Sequence, residues 1–284
     1  MPNTNQPPSV ESSWCGIFTE RLETLRRRLS EYCSSPDEAS IHGVRTAFRR
    51  LQATYSIIPA ACRRQETKRF MEDCKSFFRH NSAIRDCDVM MQKLPALGIA
   101  ENSELLAILL HKRETLTEQT MDIARRLNKT QPPKLNPVDV DLAPHYVATL
   151  RKQINRFMRL RPLVLREPAN PENVHTMRKV GKRIHYLLEL DPDLRQSSLL
   201  QDIKRFQQLS GDIHDCDVTL AYLAEYTNLF REAVTATENL RRRRQSDYER
   251  LCEFIVDDRW LSLQQLFSQP GSTATPGLTN DHSV

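Results

Sequence analysis

At 284 residues, with 39% hydrophobic and 27% charged side chains, the chain can form one large domain or two small ones around a packed core. No apolar run approaches the roughly 20 residues of a membrane span, and the polar, proline-rich MPNTNQPPSVESS has neither the basic start nor the apolar core of a secretory signal. The net charge is a modest +5, from 41 Lys and Arg against 36 acids. The seven cysteines are dispersed with no C-x-x-C, which reads as reduced thiols of a cytosolic protein rather than a zinc site.

Proline excludes itself from helix interiors, so the proline-free stretches 9–35, 37–58, 60–94, 96–131, 145–161, 172–191 and 193–269 mark where long helices can lie. They are rich in Leu, Arg, Glu and Gln, and no segment alternates β-branched residues with period two; the expected class is all-α, with no sheet. The expected order is a disordered start (1–11), a first helical unit (12–129), a linker with four prolines (130–144), a second helical unit (145–267) and a disordered tail (268–284).

The two units resemble each other. IHGVRTAFRRL, from Ile41 to Leu51, aligns with VHTMRKVGKRI, from Val174 to Ile184, at an offset of 133. DCKSFFRHNSAIRDCDV, from Asp73 to Val89, aligns with DIKRFQQLSGDIHDCDV, from Asp202 to Val218, at an offset of 129. Two matches in the same order indicate a tandem duplication of one helical unit.

On a helix at 100° per residue, Ile41, Val44, Phe48, Leu51, Tyr55 and Ile58 form a core-facing stripe, with His42, Arg45 and Arg49 directly beside it and Arg50 across the helix. In the second unit Val174, Met177, Ile184 and Leu188 repeat the apolar stripe, and His175, Arg178 and Lys182 the flanking one, with Arg183 matching Arg50. Gly181 replaces Phe48, which allows closer helix approach. No carboxylate falls between Glu38 and Glu66 or between Glu172 and Glu189, and Arg outnumbers Lys about three to one. A merely solvated face would include acids for intrahelical pairs. Crowded cations without them imply an anion, with phosphate or carboxylate oxygens that suit the arginine fork.

The second aligned block adds Lys75 and Lys204, with Arg79 and Arg205 as unmatched neighbours. In Arg85-Asp86-Cys87-Asp88 and His214-Asp215-Cys216-Asp217, carboxylates two residues apart on a helix point about 160° apart and cannot chelate one metal. The expectation is that one Asp orients a basic side chain while the other caps or faces water. The Arg241–Arg244 run is expected to be a solvated face.

At these residues the sequence resembles the conserved-histidine α-helical domain (CHAD) family. His42-Gly43-Val44-Arg45 through Arg49-Arg50 and His175-Thr176-Met177-Arg178 through Lys182-Arg183 fit its first element. Arg85 to Val89 and Ile213 to Val218 fit its second. Gln52 and His185 depart from the usual Arg, and Ser82 from the usual Gly that Gly211 retains. The resemblance implies two helical bundles related by a pseudo-twofold axis around a basic channel. It further implies non-catalytic binding of inorganic polyphosphate, in the cytoplasm or on polyphosphate granules.

The contacts expected on that reading are His42, Arg45, Arg49, Arg50, Lys75, His175, Arg178, Lys182, Arg183 and Lys204, supported by Arg79, Asp86, Arg205, His214 and Asp215. No catalytic residue, metal or cofactor is implied. The alternative enzyme reading is a metal-dependent phosphohydrolase using His214 and Asp215 with His175 or His185. Arg85 stands in place of His214 in the other unit, and Arg is not a normal metal ligand. Nucleic-acid binding is disfavoured because the His-Arg stripes carry almost no aromatic residue for stacking.

Overall fold

The protein is described by a computed structural model over residues 10–136, 141–168, 170–257 and 260, and among these every regular element is helical. Eight long helices run in order: α1 Val10–Ser34, α2 Glu38–Ile57, α3 Gln65–Lys93, α4 Glu104–Lys129, α5 Ala143–Arg166, α6 Pro171–Leu188, α7 Ser198–Ala224 and α8 Arg231–Val256. The start expected to be disordered lies outside the described residues except for Val10 and Glu11, which open α1; the expected tail 268–284 lies wholly outside them.

The helix ends follow local chemistry. The Asp37 carboxylate accepts from the Ser40 amide at 2.8 Å to start α2, and the Ser103 and Ser197 hydroxyls accept from Leu106 and Leu200 at the starts of α4 and α7. At the end of α2, Arg63 donates to the carbonyls of Ile58 (2.9 Å) and Tyr55 (3.2 Å) with its guanidinium over the Tyr55 ring. Arg63 therefore serves the fold.

Two stretches depart from the proline rule. α5 runs past Pro162, because Val164 is fully buried, the Tyr248 hydroxyl donates to its carbonyl, and Arg161 Nε donates to Ile255 O at 2.6 Å. The stretch 193–269 divides into a short 3-10 turn, α7 and α8. The chain turns between α7 and α8 with neither Pro nor Gly, through the bonds Tyr226 N to Leu223 O (2.9 Å) and Phe230 N to Tyr226 O (3.0 Å). Tyr222, Tyr226 and Phe230 pack ring on ring through it, a tertiary preference invisible to a breaker count.

Within the first four helices, α1 packs on α2, α2 on α3, α3 on α4 and α4 back on α1. The second four repeat that circuit, α5 through α8. Between the sets like meets like, α2 against α6 and α3 against α7. The cores interlock: Ala53 and Ile57 of α2 belong to the second set's core, and a third cluster joins Cys87, Met90 and Leu105 to Cys216, Tyr222 and Leu240. Each set also carries the same ion pair from its fourth helix to its third, Arg113 to Asp88 (2.6 Å) and Arg244 to Asp217.

These pairs correct two expectations. Asp88 is 4% exposed and neither caps nor faces water. The run ending at Arg244 is not a wholly solvated face, since Arg244 is part-buried on Asp217, while Arg242 bonds Asn239 and Arg243 lies 3.9 Å from Asp247.

Gly181 does permit close approach: a Cβ there would stand 2.6 Å from Phe206 Cε1, and that ring lies edge-on to Phe157 at 4.8 Å. Gly181→Ala should therefore destabilise by about 1–3 kcal/mol, lowering Tm by several degrees. Gly43→Ala meets only the flexible Arg28 side chain at 3.3 Å and should be close to neutral. Thermal unfolding of the two variants side by side checks the contrast.

Candidate functional site

The contacts of α2 with α6 and of α3 with α7 bring the cationic stripes of the two halves together. The halves are coupled electrostatically as well as topologically. Arg45 is held down to about 9 by burial first, then by Arg49, with Arg178 of the other half contributing. Arg178 falls to about 10 through burial and then Arg49, and Lys182 to about 5 through burial and then Arg49, Arg178 and Arg45. Residues more than a hundred positions apart in sequence thus crowd one another in a partly desolvated groove. Both arginines remain charged at neutral pH.

The groove walls are built differently on the two sides. On the first side, Arg45 Nη1 donates to Ser82 Oγ at 2.7 Å, and Arg45 and Arg49 lie 4.6 and 5.1 Å from the centre of the Phe78 ring. The ring fixes two guanidiniums without neutralising them. On the second side Gly211 takes the place of Ser82, and a Cβ there would lie 3.9 Å from Arg178 Nε. Arg178 Nε is buried with no hydrogen-bond partner.

Three histidines border the cations. The His175 and His214 rings meet tilted, at 31°, with centroids 4.9 Å apart. Burial, then Arg178, His175 and Lys182, holds His214 down to about 3. His175 is lowered by burial and then Lys179, and His42 by burial and then Arg85. Arg85, the counterpart of His214, is tied to Glu38.

Asp86 and Asp215 lie in the same groove. Asp215 receives Lys93 at 3.1 Å, a bond between the halves. Asp86 is raised by burial, opposed chiefly by Arg45, and raised again by Asp215. Within the described residues, two carboxylates stand among Arg45, Arg49, Arg178 and Lys182, Asp86 and the Lys93-bound Asp215, and the basic side chains outnumber them.

Other expected contacts stand elsewhere. Arg50 makes a forked pair with Glu189, at 2.8 and 3.2 Å, and is not an open groove cation. Arg183 is exposed, 100° around α6 from Lys182. Arg205 lies over the Phe254 ring at 5.2 Å, on the α8 side of α7, so it is no part of the cationic surface. Lys75, Arg79 and Lys204 are exposed; helix phase puts them on the same faces as Asp86 and Asp215, about three turns away for the lysines. The sequence reading missed Phe78 and Lys93, because each reaches the groove from a helix whose facing only tertiary packing decides. No group of three His, Cys, Asp or Glu able to hold a metal ion occurs among the described residues.

A doubled four-helix arrangement with basic side chains of both halves gathered where they meet defines the class. The CHAD domain family model matches residues 16–224 and again 148–276, and the chain belongs to that family. Among solved structures it is similar to the crystal structure of the CHAD domain from the plant Ricinus communis, at a TM-score of 0.67 and 17% identity, covering 87% of this chain and 91% of that one. At that identity the likeness concerns the fold. No curated protein matches the sequence.

The crowding makes a stability prediction. Unfolded Lys182 keeps its proton up to about 10.5, while the folded protein releases it above about 5. Between those values the unfolded state binds more protons, so this residue's contribution makes the empty protein more stable as pH rises. Lys182→Met should raise the Tm of the unliganded protein by a few degrees, on the order of 1 kcal/mol, and flatten its rise from pH 6 to 9. Differential scanning calorimetry across that range reads both.

Proposed function

We propose that the groove binds inorganic polyphosphate, without chemistry on the chain, and that such binding carries the protein to polyphosphate-rich bodies in the cell. The observation that carries this reading is the surplus of fixed cations, Arg45, Arg49 and Arg178 from both halves, beside a Lys182 that regains its proton when an anion arrives, against two carboxylates, Asp86 and the Lys93-bound Asp215. Family membership supports it through the motif residues that supply those cations.

The physical chemistry is direct. Polyphosphate presents about one negative charge per phosphate, with oxygens that match the planar fork of arginine. Each charge-assisted hydrogen bond contributes about 1.5–3 kcal/mol before ordering and residual desolvation. Because the cations are already packed and partly dehydrated, less of that is lost on binding than at a flexible surface patch. His42, His175 and His214 border the groove as additional donors once protonated.

Titration with long-chain polyphosphate at two ionic strengths tests the reading. Wild type should bind at micromolar affinity or tighter, more weakly at high salt, and Arg45→Glu/Arg178→Glu should lose at least about a hundredfold, or ~2.7 kcal/mol. Unchanged affinity in that variant would refute it. Transfer RNA or single-stranded DNA should compete poorly, and addition of magnesium or manganese should release no phosphate.

pH supplies an independent check. The empty groove depresses Lys182, His42, His175 and His214, through burial and then neighbouring cations. A bound polyanion reverses the electrostatic part and raises them, so binding takes up protons. Affinity should rise as pH falls from about 8 to 6, about tenfold per unit for each proton taken up. Calorimetry in buffers of different ionisation enthalpy counts those protons; a count of zero would remove these groups from the mechanism.

A further inference from the structure

Two turns beyond Lys182, on the same face of α6, lies a second cationic cluster that the groove does not use. Glu189 is at its centre. Its carboxylate takes the fork of Arg50 from α2 and lies 3.2 Å from His185 Nε2, and its backbone carbonyl accepts from Arg195 Nε at 2.9 Å. Arg21 of α1 completes the cluster, close enough to Arg50, Glu189 and Arg195 to interact with all three. Four elements of both halves meet there: α1, α2, α6 and the 3-10 turn Asp193–Gln196.

The charges do not balance inside it. Glu189 holds at about 2: burial pushes it up, and the close approach of His185 together with the fork of Arg50 outweighs that push. Arg50 donates to both of its carboxylate oxygens. Arg21 Nε is buried with no hydrogen-bond partner; the exposed Glu20 of the same helix acts on it, and Glu189 after that. Arg195 is anchored through Nε alone, which leaves the two terminal nitrogens of its fork directed elsewhere. Arg195 is thus positioned by a protein contact with donors to spare, and Arg21 brings a buried, unpartnered Nε beside it.

We infer that Arg21 and Arg195, held around the Arg50–Glu189 pair, form a second oxyanion subsite that takes a phosphoryl group. Its occupant is one or more phosphates of a chain running on from the groove, or a short free phosphate anion. The first of these rests on the polyphosphate reading and the second does not. The separation follows from the helix: Lys182 and Glu189 are seven residues apart, about 10 Å along the axis, so a short anion fits one subsite at a time while a long chain spans both. Spanning turns the second contact into an intramolecular one and favours long chains over short. Glu189 supplies the internal counter-charge that keeps Arg50 in place when the subsite is empty.

The test uses the full chain with the groove disabled, Arg45→Gln/Lys182→Gln, titrated calorimetrically with tripolyphosphate. One molecule should still bind per chain, and adding Arg21→Gln/Arg195→Gln should weaken that binding about tenfold or more. No binding to the groove variant, or equal affinity with and without the added pair, overturns the subsite. Long-chain polyphosphate binding unaffected by the groove substitutions would instead sink the groove reading and leave this one standing. Should circular dichroism show the glutamine pair unfolded, Arg21→Lys/Arg195→Lys replaces it: charge is kept, the fork is lost, and a loss of about threefold supports the subsite while an unchanged affinity overturns it.

Discussion

Positive charges held close together in a partly dry space repel, and a folded chain tolerates this only where packing fixes them. Arg45, Arg49 and Arg178 are in that situation, and burial together with their field holds Lys182 down to about 5. Each sits beside an apolar stripe that must be buried, Val44 and Phe48 on one helix, Met177 and Ile184 on the other, so core packing decides where the cations go. The interlocked cores, with Ala53 and Ile57 of the first half buried in the second, prevent the halves from separating to relax the repulsion. Stability is given up locally to hold these groups together.

The carboxylates shape this charge rather than cancel it. Asp88 and Asp217 point away from the groove and clamp Arg113 and Arg244, tying the fourth helix of each set to the third. Asp86 and Asp215 point into it, where Asp215 holds Lys93 across the halves and Asp86 lies among the cations. One two-residue spacing, repeated, therefore serves structure on one side of the helix and the site on the other. Glu189 does comparable work further along α6, fixing Arg50 between the halves.

Much of this could be read in the sequence, and what could not has identifiable causes. The all-helical class and most helix limits followed from proline placement, and the stripes of α2 and α6 from a 100° period. Pro162 misled because docking on α8 carries α5 through it, and the turn after Ala224 was hidden because aromatic packing, not a breaker residue, makes it. In the site, helix phase gave Arg45, Arg49, Arg178 and Lys182 correctly as neighbours of the core. It could not tell that Arg50 would meet Glu189, since that pair joins residues 139 apart. Nor could it show that Arg205 would cover Phe254, or that Phe78 and Lys93 would enter from other helices. Period and composition report on one helix at a time; partners across helices are fixed by packing.

The most direct measurement follows the guanidinium Nε–H resonances of Arg45 and Arg178 by nuclear magnetic resonance as a polyphosphate just long enough to fill the groove is added. If both halves grip one anion, the two signals shift together and yield a single dissociation constant at one chain per protein. Independent constants, or movement of only one of the two signals, would contradict the account.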